Sequence, residues 1–281
     1  EFNFIIRFFL NFSLKNNFFK SFFSFLANFL NQNYTGFFRM ILADKIIYQS
    51  KFSQTLYEDF FSNKPYEIIL NGAYFKKIKH KSKTEFINVI AIHDSYRPSK
   101  RIDEIVKFIN WNNDKNKKKI YLSLLGFDNK FPDSVSKNII DLVNSNNYIK
   151  TYPRFKEFNS EIEQIIYESD LAISFSYRDA CPNTVIELMS YSIPFVYYKS
   201  GGLPEIIKDA GIGLTFPNSE KYYTSHRFEN DFPSINYSDV LKAIIEIKNN
   251  RNHYEKKVLN RFKDELDMKV IAQKYAKALE I

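Results

Sequence analysis

The sequence contains a single cysteine, Cys181, among its 281 residues. One thiol excludes a disulfide within the chain, and it excludes any metal site built from several cysteines. Chains that lack disulfides are typical of reducing compartments. We therefore expect a cytoplasmic protein.

Several motifs of catalytic chemistry are also missing. The sequence has no Asp-x-Asp or His-x-x-x-His pair to bind a metal ion, and its four histidines are scattered. It has neither the Gly-x-Ser-x-Gly elbow of many serine hydrolases nor the Gly-x4-Gly-Lys-Ser/Thr loop of P-loop nucleotide hydrolases. These absences argue against hydrolase and P-loop functions, and they predict that the chain uses neither a metal ion nor a cofactor.

Glycine is scarce, with seven in the chain, yet four of them fall between residues 201 and 213. The pair Gly201-Gly202 precedes Pro204, which suits the first turn of a helix. Glycine permits a positive φ and a close approach of the backbone to a neighbour. Either a bound ligand or a tight turn between a strand and a helix explains this concentration, and the sequence leaves both open.

No stretch of the sequence is apolar enough to predict a membrane span. Residues 4–31 are rich in phenylalanine, but Arg7, Lys15 and Lys20 interrupt every window of the required length. The apolar residues between 18 and 30 recur at helical spacing and predict an amphipathic helix. Three partners for its apolar face stay open: the rest of the chain, the inner face of a membrane, or another domain.

The formal net charge of +8 suits an anionic partner such as a nucleotide, a phosphorylated lipid surface or a nucleic acid. Charge alone does not choose among these partners. The densest basic runs, residues 76–83 and 115–119, are more typical of solvated loops than of nucleic-acid sites. We therefore expect no nucleic-acid partner.

From residue 41 onward, short β-rich runs alternate with helical ones. This alternation predicts right-handed crossovers and a doubly wound parallel sheet, a Rossmann-like α/β fold, over residues 41–281. Residues 1–40 are predicted to form a helical arm. Ser160 and Glu163 are predicted to form a capping box at the start of one helix. The predicted strands are residues 45–49, 67–70, 86–92, 120–125, 148–151, 171–175, 194–198 and 213–216.

The stretch from Asp170 to Glu205 has the order strand, loop, helix, strand and glycine loop. Its loops are predicted at the carboxyl ends of parallel strands, where such sheets bind ligands. We expect Asn183 to cap the helix. The amides of Thr184, Val185 and Ile186 are then predicted to be unpaired and to favour a phosphate group.

Three charged side chains near this helix are suited to a nucleotide. Glu187, one turn into the helix, can accept hydrogen bonds from two neighbouring hydroxyls, or it merely complements the helix dipole. Arg97 and Lys100 follow the predicted strand 86–92 and can hold a diphosphate, one as a planar fork and the other as a point charge. The alternative for both is an ordinary solvated loop.

Taken in order, these motifs resemble the donor-binding half of family 4 glycosyltransferases, which are retaining enzymes of the GT-B fold. Each piece is weak alone, and the resemblance rests on their order. The pieces are YQSKFS (Tyr48–Ser53), NGAY (Asn71–Tyr74), YRPSKR (Tyr96–Arg101), LLGFD (Leu124–Asp128), SDLAISFS (Ser169–Ser176), DACPNTVIELMSYSIPFV (Asp179–Val196) and GGLPEII (Gly201–Ile207).

The resemblance implies a role for each candidate site residue. Asp179 and Glu187 keep the family's Glu-x7-Glu spacing, with aspartate in the first position. By resemblance, Glu187 contacts the ribose of the nucleotide and Asp179 contacts the transferred sugar. Arg97 and Lys100 hold the diphosphate, at a shorter spacing than the commoner Arg-x4-Lys form. The residues implied to touch phosphate or sugar at the helix start and the glycine loop are Asn183, Thr184, Val185, Gly201 and Gly202.

The resemblance also implies a reaction and its partners. Sugar would pass from a UDP- or GDP-linked donor to a hydroxyl of a glycan or lipid-linked acceptor, with retention and without a metal ion. Full-length members carry a preceding acceptor domain, and residues 1–40 resemble the end of that domain. The alternative is a non-catalytic nucleotide-sugar-binding subunit, or a fragment, that needs a separate acceptor domain. An epimerase of the same fold fits the motifs less well.

Overall fold

A computed structural model describes residues 39–58, 63–76, 86–93, 97–115, 119–127, 137–155, 157–217 and 232–279. The predicted amphipathic helix over 18–30 lies outside these ranges. The chain divides into two compact units, Glu1–Ile69 and Leu70–Ile281. The predicted limits of the arm, 1–40, and of the donor-binding domain, 41–281, stay predictions.

The first unit contains a small parallel sheet. Strand β1 is Ile46–Tyr48 and strand β2 is Tyr66–Ile68, with Ile46 opposite Tyr66. Helix α1, Lys51–Thr55, follows β1 and begins with a capping box between the side chains of Ser50 and Ser53. We had predicted these two strands as members of one large sheet. Among the residues that the structure describes, they form instead a two-stranded sheet of their own, in which they pair with each other.

The second unit is built on six parallel strands in the order β5-β4-β3-β6-β7-β8. This arrangement confirms the predicted α/β fold with a doubly wound parallel sheet. The strands are β3 Ile87–Ile92, β4 Ile120–Leu125, β5 Ile149–Tyr152, β6 Leu171–Ser174, β7 Phe195–Tyr198 and β8 Gly211–Leu214.

Helices cover both faces of this sheet. One apolar cluster joins the sheet to α2, α3 and α7, and a second joins its other face to α4, α5, α6 and α8. Strands enclosed on both faces are apolar throughout, which explains why all four residues of β6 are buried. The helices are α2 Ile102–Lys115, α3 Lys137–Ser145, α4 Ser160–Glu168, α5 Asn183–Ser190, α6 Leu203–Ile207, α7 Tyr237–Asn249, α8 Arg251–Arg261 and α9 Met268–Ala278.

The order of the strands reverses between β3 and β6. From β3 the chain proceeds to β4 and β5 on one side, and from β6 it proceeds to β7 and β8 on the other. The two central strands are paired in register, with Val89 opposite Leu171. The loops that leave their carboxyl ends therefore diverge and leave a crevice, which is where sheets of this kind bind ligands.

Within the described ranges, no helix has both the length and the apolar character needed to cross a membrane.

Candidate functional site

The loop after β3 ends in a single turn of 3-10 helix, Pro98–Lys100. Proline suits the start of such a turn because its φ is already fixed near the helical value. The amide of Lys100 donates to the carbonyl of Arg97 over 2.9 Å, and the turn closes at Arg101, whose φ is +54°. This turn carries both basic residues that were predicted to hold a diphosphate.

Lys100 reaches across the crevice to Asp179, which lies on the loop after β6. The Lys100 Nζ and Asp179 Oδ2 atoms are 2.6 Å apart, and the two side chains are only 13% and 20% exposed. The ion pair therefore joins the carboxyl ends of the two central strands. Two residues that are distant in sequence, each predicted to belong to the site, are in direct contact.

The glycine loop supports Asp179 from behind. Gly201 has a φ of +61°, and a Cβ atom built on it would lie 2.1 Å from the carbonyl oxygen of Asp179. The amide of Gly202 donates to that same oxygen over 2.8 Å, and the amide of Arg178 donates to Ser200 Oγ over 2.9 Å. Gly201 is thus required by a close backbone approach, and this packing explains it without a ligand.

Helix α5 begins one residue earlier than predicted. Pro182 is its N-cap, with an extended backbone and no capping side chain, so Asn183 does not cap the helix. The Oδ1 atom of Asn183 instead accepts from Asn71 Nδ2 over 2.6 Å.

This shift changes which amides face the crevice. An α-helix leaves the amides of its N-cap and first three residues without regular helical partners. With Pro182 as N-cap, Ile186 is the fourth residue and falls outside this set. The amide of Val185 donates to the Pro182 carbonyl over 3.1 Å, and its side chain is buried in the core. The prediction of unpaired amides at Val185 and Ile186 is therefore wrong, and the amides of Asn183 and Thr184 remain as candidates to bind an anion.

A cavity of about 430 Å³ opens between these loops. It brings together six of the nine residues predicted for the site, whereas Val185, Gly201 and Gly202 do not line it. The lining residues are Ile92, His93, Arg97, Lys100, Gly126, Arg154, Phe155, Phe158, Asp179, Cys181, Pro182, Asn183, Thr184 and Glu187.

Sequence reasoning did not assign a role to several of these residues. Arg154 lies just beyond the end of β5, as Arg97 lies beyond the end of β3, but it was not predicted for the site. His93 follows β3 directly and is 5% exposed. The backbone of His93 lies close to Gly126, which has a φ of +85°. A Cβ atom at position 126 would lie 1.9 Å from the His93 carbonyl oxygen, so this approach requires glycine. Phe158 precedes α4 and had no sequence signal.

The cavity lining carries more positive than negative charge. The cations are Arg97, Lys100 and Arg154, and the carboxylates are Asp179 and Glu187. Burial raises the pKa of the Cys181 thiol to about 11, so this group stays neutral near pH 7. In the part of the chain that the structure describes, no group of three or more His, Cys, Asp or Glu residues is placed to hold a metal ion.

A second cavity, of about 590 Å³, adjoins the first and shares Phe158, Asn183 and Glu187 with it. Its character is different, because tyrosines contribute much of its wall and Lys76 is its one lysine. Lys76 lies 3.6 Å from Glu163, which offsets its charge. Glu187 therefore stands between a cationic cavity and an aromatic one. The tyrosines are Tyr74, Tyr191 and Tyr275.

The parallel sheet, its reversal point and the charged loops there define a Rossmann-like α/β fold with a candidate ligand site at the reversal point. Residues 74–225 match the family described as "Glycosyl transferases group 1", which is more than half of the chain. The chain belongs to this family. No curated protein sequence matches the chain.

Solved structures show the same fold at low sequence identity. Sucrose-phosphate synthase of Thermosynechococcus elongatus is similar with a TM-score of 0.64 and 15% identity, over 90% of this chain and 64% of that one. HepE of Anabaena, solved in complex with UDP-glucose, is similar with a TM-score of 0.59 and 17% identity, over 85% of this chain and 64% of that one. A chain of a GtfA/B complex is similar with a TM-score of 0.61 and 13% identity, over 90% of this chain and 48% of that one. The chain thus spans less than two thirds of each of these proteins.

Proposed function

We propose that the 430 Å³ cavity binds a nucleotide-diphosphate sugar, linked to UDP or GDP, and that the chain serves in transfer of the sugar to a hydroxyl acceptor with retention. The observation that carries this proposal is the Lys100–Asp179 pair beside Arg97 and Arg154 at the reversal point of the sheet. Membership of the glycosyl transferase family supports it, as does the UDP-glucose held by HepE.

In this proposal the basic residues hold the diphosphate. Arg97 offers a planar fork of donors and Lys100 a compact charge, and both neutralise the charge that develops on the leaving group. The amides of Asn183 and Thr184 add donors at the positive end of the α5 dipole. Preorganised donors of this kind commonly lower a barrier by about 3–4 kcal/mol each.

The carboxylates hold hydroxyl groups at the two ends of the donor. Asp179 accepts from the transferred sugar, and Glu187 accepts from the two ribose hydroxyls through its pair of oxygens. This division is the one that the family resemblance implies. Its support here is that Asp179 is beside Lys100, whereas Glu187 is one turn into α5 and borders the aromatic cavity.

The transfer step needs no metal ion in this scheme. The bond from the anomeric carbon to the phosphate oxygen breaks while the acceptor oxygen forms its bond on the same face of the sugar. The acceptor hydroxyl gives its proton to the departing phosphate oxygen, so the diphosphate itself serves as the base. The cations of the cavity stabilise the charge that the diphosphate carries away.

A second candidate is a nucleotide-sugar-binding subunit that requires a separate acceptor domain. The chain spans 64% of sucrose-phosphate synthase and 48% of the matched chain in the GtfA/B complex. A glycan or lipid-linked acceptor would then be bound by a partner domain. Under this alternative the chain binds the donor but does not transfer its sugar unaided.

Isothermal titration with UDP and with GDP tests donor binding. We expect one of them to bind, and we expect Glu187→Ala to weaken that binding about ten- to hundredfold, because hydrogen bonds to charged groups contribute about 1.5–3 kcal/mol. Lys100→Ala should weaken binding of the diphosphate but leave binding of the nucleoside unchanged. Lys242→Ala, at a lysine whose side chain is 78% exposed, is the control and should change neither.

Failure of both nucleotides to bind at millimolar concentration would overturn the proposal. Mass spectrometry of reactions that contain a UDP- or GDP-sugar and candidate acceptors then separates the two candidates. A glycosylated product supports the enzyme, and donor binding without product supports the subunit.

A further inference from the structure

Arg101, the residue directly after Lys100, has an unusual backbone for an arginine. Its φ of +54° and ψ of +37° lie in the left-handed region, which glycine adopts without steric cost and most other residues avoid. Its side chain does not extend into water, because the residue is only 5% exposed. A strained backbone and a buried charge at one position require some compensating interaction.

The guanidinium group finds that interaction in the segment before α7. Its Nη1 atom donates to the carbonyl of Pro233 over 2.9 Å, and its central carbon lies 5.1 Å from the centre of the Phe232 ring. A guanidinium stacked on an aromatic ring gains electrostatic attraction that is stronger when the pair is desolvated. Arg101 therefore connects the end of the turn Pro98–Lys100 to residues 232–233.

Phe232 also contacts the other side of the crevice. Its ring meets the edge of the Tyr177 ring, with 5.8 Å between the centroids. The amide of Tyr177 donates to the carbonyl of Ser99 over 2.7 Å. Ser99 precedes Lys100, and Tyr177 lies two residues before Asp179, so Phe232 stands between the two backbone segments that carry the ion pair.

The segment that holds Phe232 is itself fixed to the fold. The amide of Asn236 donates to Tyr198 Oη over 2.9 Å, and the hydroxyl of Tyr237 donates to Glu104 Oε2 over 2.8 Å. Tyr198 belongs to β7 and Glu104 to α2, so the anchors lie on two different elements. A segment held at both of these points can fix what it contacts.

We propose that Arg101, Phe232, Pro233 and Tyr177 form a clamp that holds the turn Pro98–Lys100 so that Lys100 lines the cavity next to Asp179, with Arg101 as its positioning residue. Its consequence for donor binding rests on the proposed function. The clamp explains why an arginine occupies a left-handed position, because its guanidinium contacts offset the backbone strain. The turn is thereby held so that Lys100 lies in the cavity next to Asp179.

Arg101→Gly separates this role from a merely structural one. Glycine fits the left-handed backbone, and the relief of strain offsets part of the stability that is lost with the guanidinium contacts, so the variant should still fold. We expect its affinity for UDP or GDP to fall about tenfold while its affinity for the nucleoside is unchanged. Arg101→Lys keeps the charge but not the planar fork, so its affinity for UDP or GDP should lie between those of the unaltered protein and Arg101→Gly. Phe232→Leu should resemble Arg101→Gly, and the double variant should be no worse than either, because both break one unit.

The matched control is Arg251→Gly, at an arginine that bonds Asp170 at the opposite end of the sheet. This control should lower the melting temperature and leave the affinity for the diphosphate unchanged. If Arg101 acted only through stability, Arg101→Gly would likewise lower the melting temperature and leave the affinity for the diphosphate unchanged.

Hydrogen exchange measures the clamp without any nucleotide. Mass spectrometry of peptides that contain Tyr177 and the turn Pro98–Lys100 should show faster exchange in Arg101→Gly than in the unaltered protein. Unchanged exchange in both peptides would overturn the clamp, as would unchanged diphosphate affinity in a protein that binds UDP or GDP. If the unaltered protein binds neither nucleotide, the proposed function fails, and the exchange rates still decide whether the clamp exists.

Discussion

Lys100 and Asp179 form an ion pair with 2.6 Å between Nζ and Oδ2, inside a cavity for which we propose an anionic ligand. Two opposite charges at this distance attract strongly when they are shielded from water. A diphosphate must therefore share Lys100 with a carboxylate that repels it. Under the proposed function, Arg97 and Arg154 supply the remaining positive charge, and Asp179 opposes diphosphate binding while it holds the sugar.

Asp179→Asn tests this opposition. The change removes a negative charge, while the Arg101 contacts still hold the turn that places Lys100 in the cavity. UDP or GDP should therefore bind about three- to tenfold more tightly, which corresponds to about 0.7–1.4 kcal/mol. Transfer of the sugar should be lost or strongly reduced, because an amide holds a sugar hydroxyl less well than a carboxylate. Titration with the nucleotide and a transfer assay give the two numbers. Weaker nucleotide binding in a folded Asp179→Asn protein would show that the carboxylate instead orders Lys100.

At the scale of helices and strands, Asp170 joins elements at the end of the sheet away from the cavity. It directly precedes β6 and is 1% exposed. Its carboxylate accepts from the amide of Asn88 over 2.8 Å, from Lys248 Nζ over 2.8 Å and from Arg251 Nη1 over 2.9 Å. One side chain thus holds β3, α7 and the start of α8 together.

Asp170→Asn should lower the free energy of unfolding by about 3 kcal/mol, because removing one partner of a buried ion pair leaves charges uncompensated. Denaturant titration followed by circular dichroism measures the change. Asp239→Asn is the matched control, since it breaks an exposed pair with Lys242 and should cost less than about 1 kcal/mol. A loss at Asp170 no larger than that at Asp239 would contradict the role of this cluster.

Element boundaries show which features the sequence could predict. Strand β4 was predicted at residues 120–125 and lies at Ile120–Leu125, because a buried apolar run bounded by polar residues has few alternatives. Strand β8 lies at Gly211–Leu214 rather than at 213–216. Its glycines give little local preference, and pairing decides its position, with Gly211 opposite Phe195.

Both helix caps that we predicted are displaced by one residue. We predicted Ser160 and Asn183 as caps, but the caps are Asn159 and Pro182. Neighbouring residues that can all begin a helix are told apart only by backbone angles, which tertiary contacts set. The same limit applies to the site. Arg97, Lys100, Asp179 and Glu187 had sequence signals, and His93 directly follows a strand, whereas Phe158 had none and reaches the cavity only through the tertiary fold.

At the scale of the whole molecule, two charged clusters of the second unit, around Asp170 and around Glu265, lie apart from the cavity. Neither Asp170 nor Glu265 lines it. Glu265 receives hydrogen bonds from Lys208, just after α6, and an ion pair from Arg261 at the end of α8. Stability and ligand binding should therefore respond separately to mutation, and the pH dependence of folding can be assigned to groups outside the site.

Glu265 should contribute to acid stability. Burial alone would raise its pKa, but the hydrogen bonds from Arg261 and Lys208 outweigh burial and lower the pKa from 4.5 to about 2. A carboxyl whose pKa is lower in the folded state stabilises the fold above its unfolded pKa, and this contribution disappears as pH falls from about 4.5 to about 2.

In Glu265→Gln, the free energy of unfolding should therefore be lower than in the unaltered protein near pH 6, and the two values should converge toward pH 2. Because the side chain is 38% exposed, solvent screening limits the difference to about 1 kcal/mol. Urea titrations at intervals between pH 6 and pH 2 measure it. Parallel stability curves for the two proteins across this range would show that the contacts with Arg261 and Lys208 do not shift the titration of Glu265.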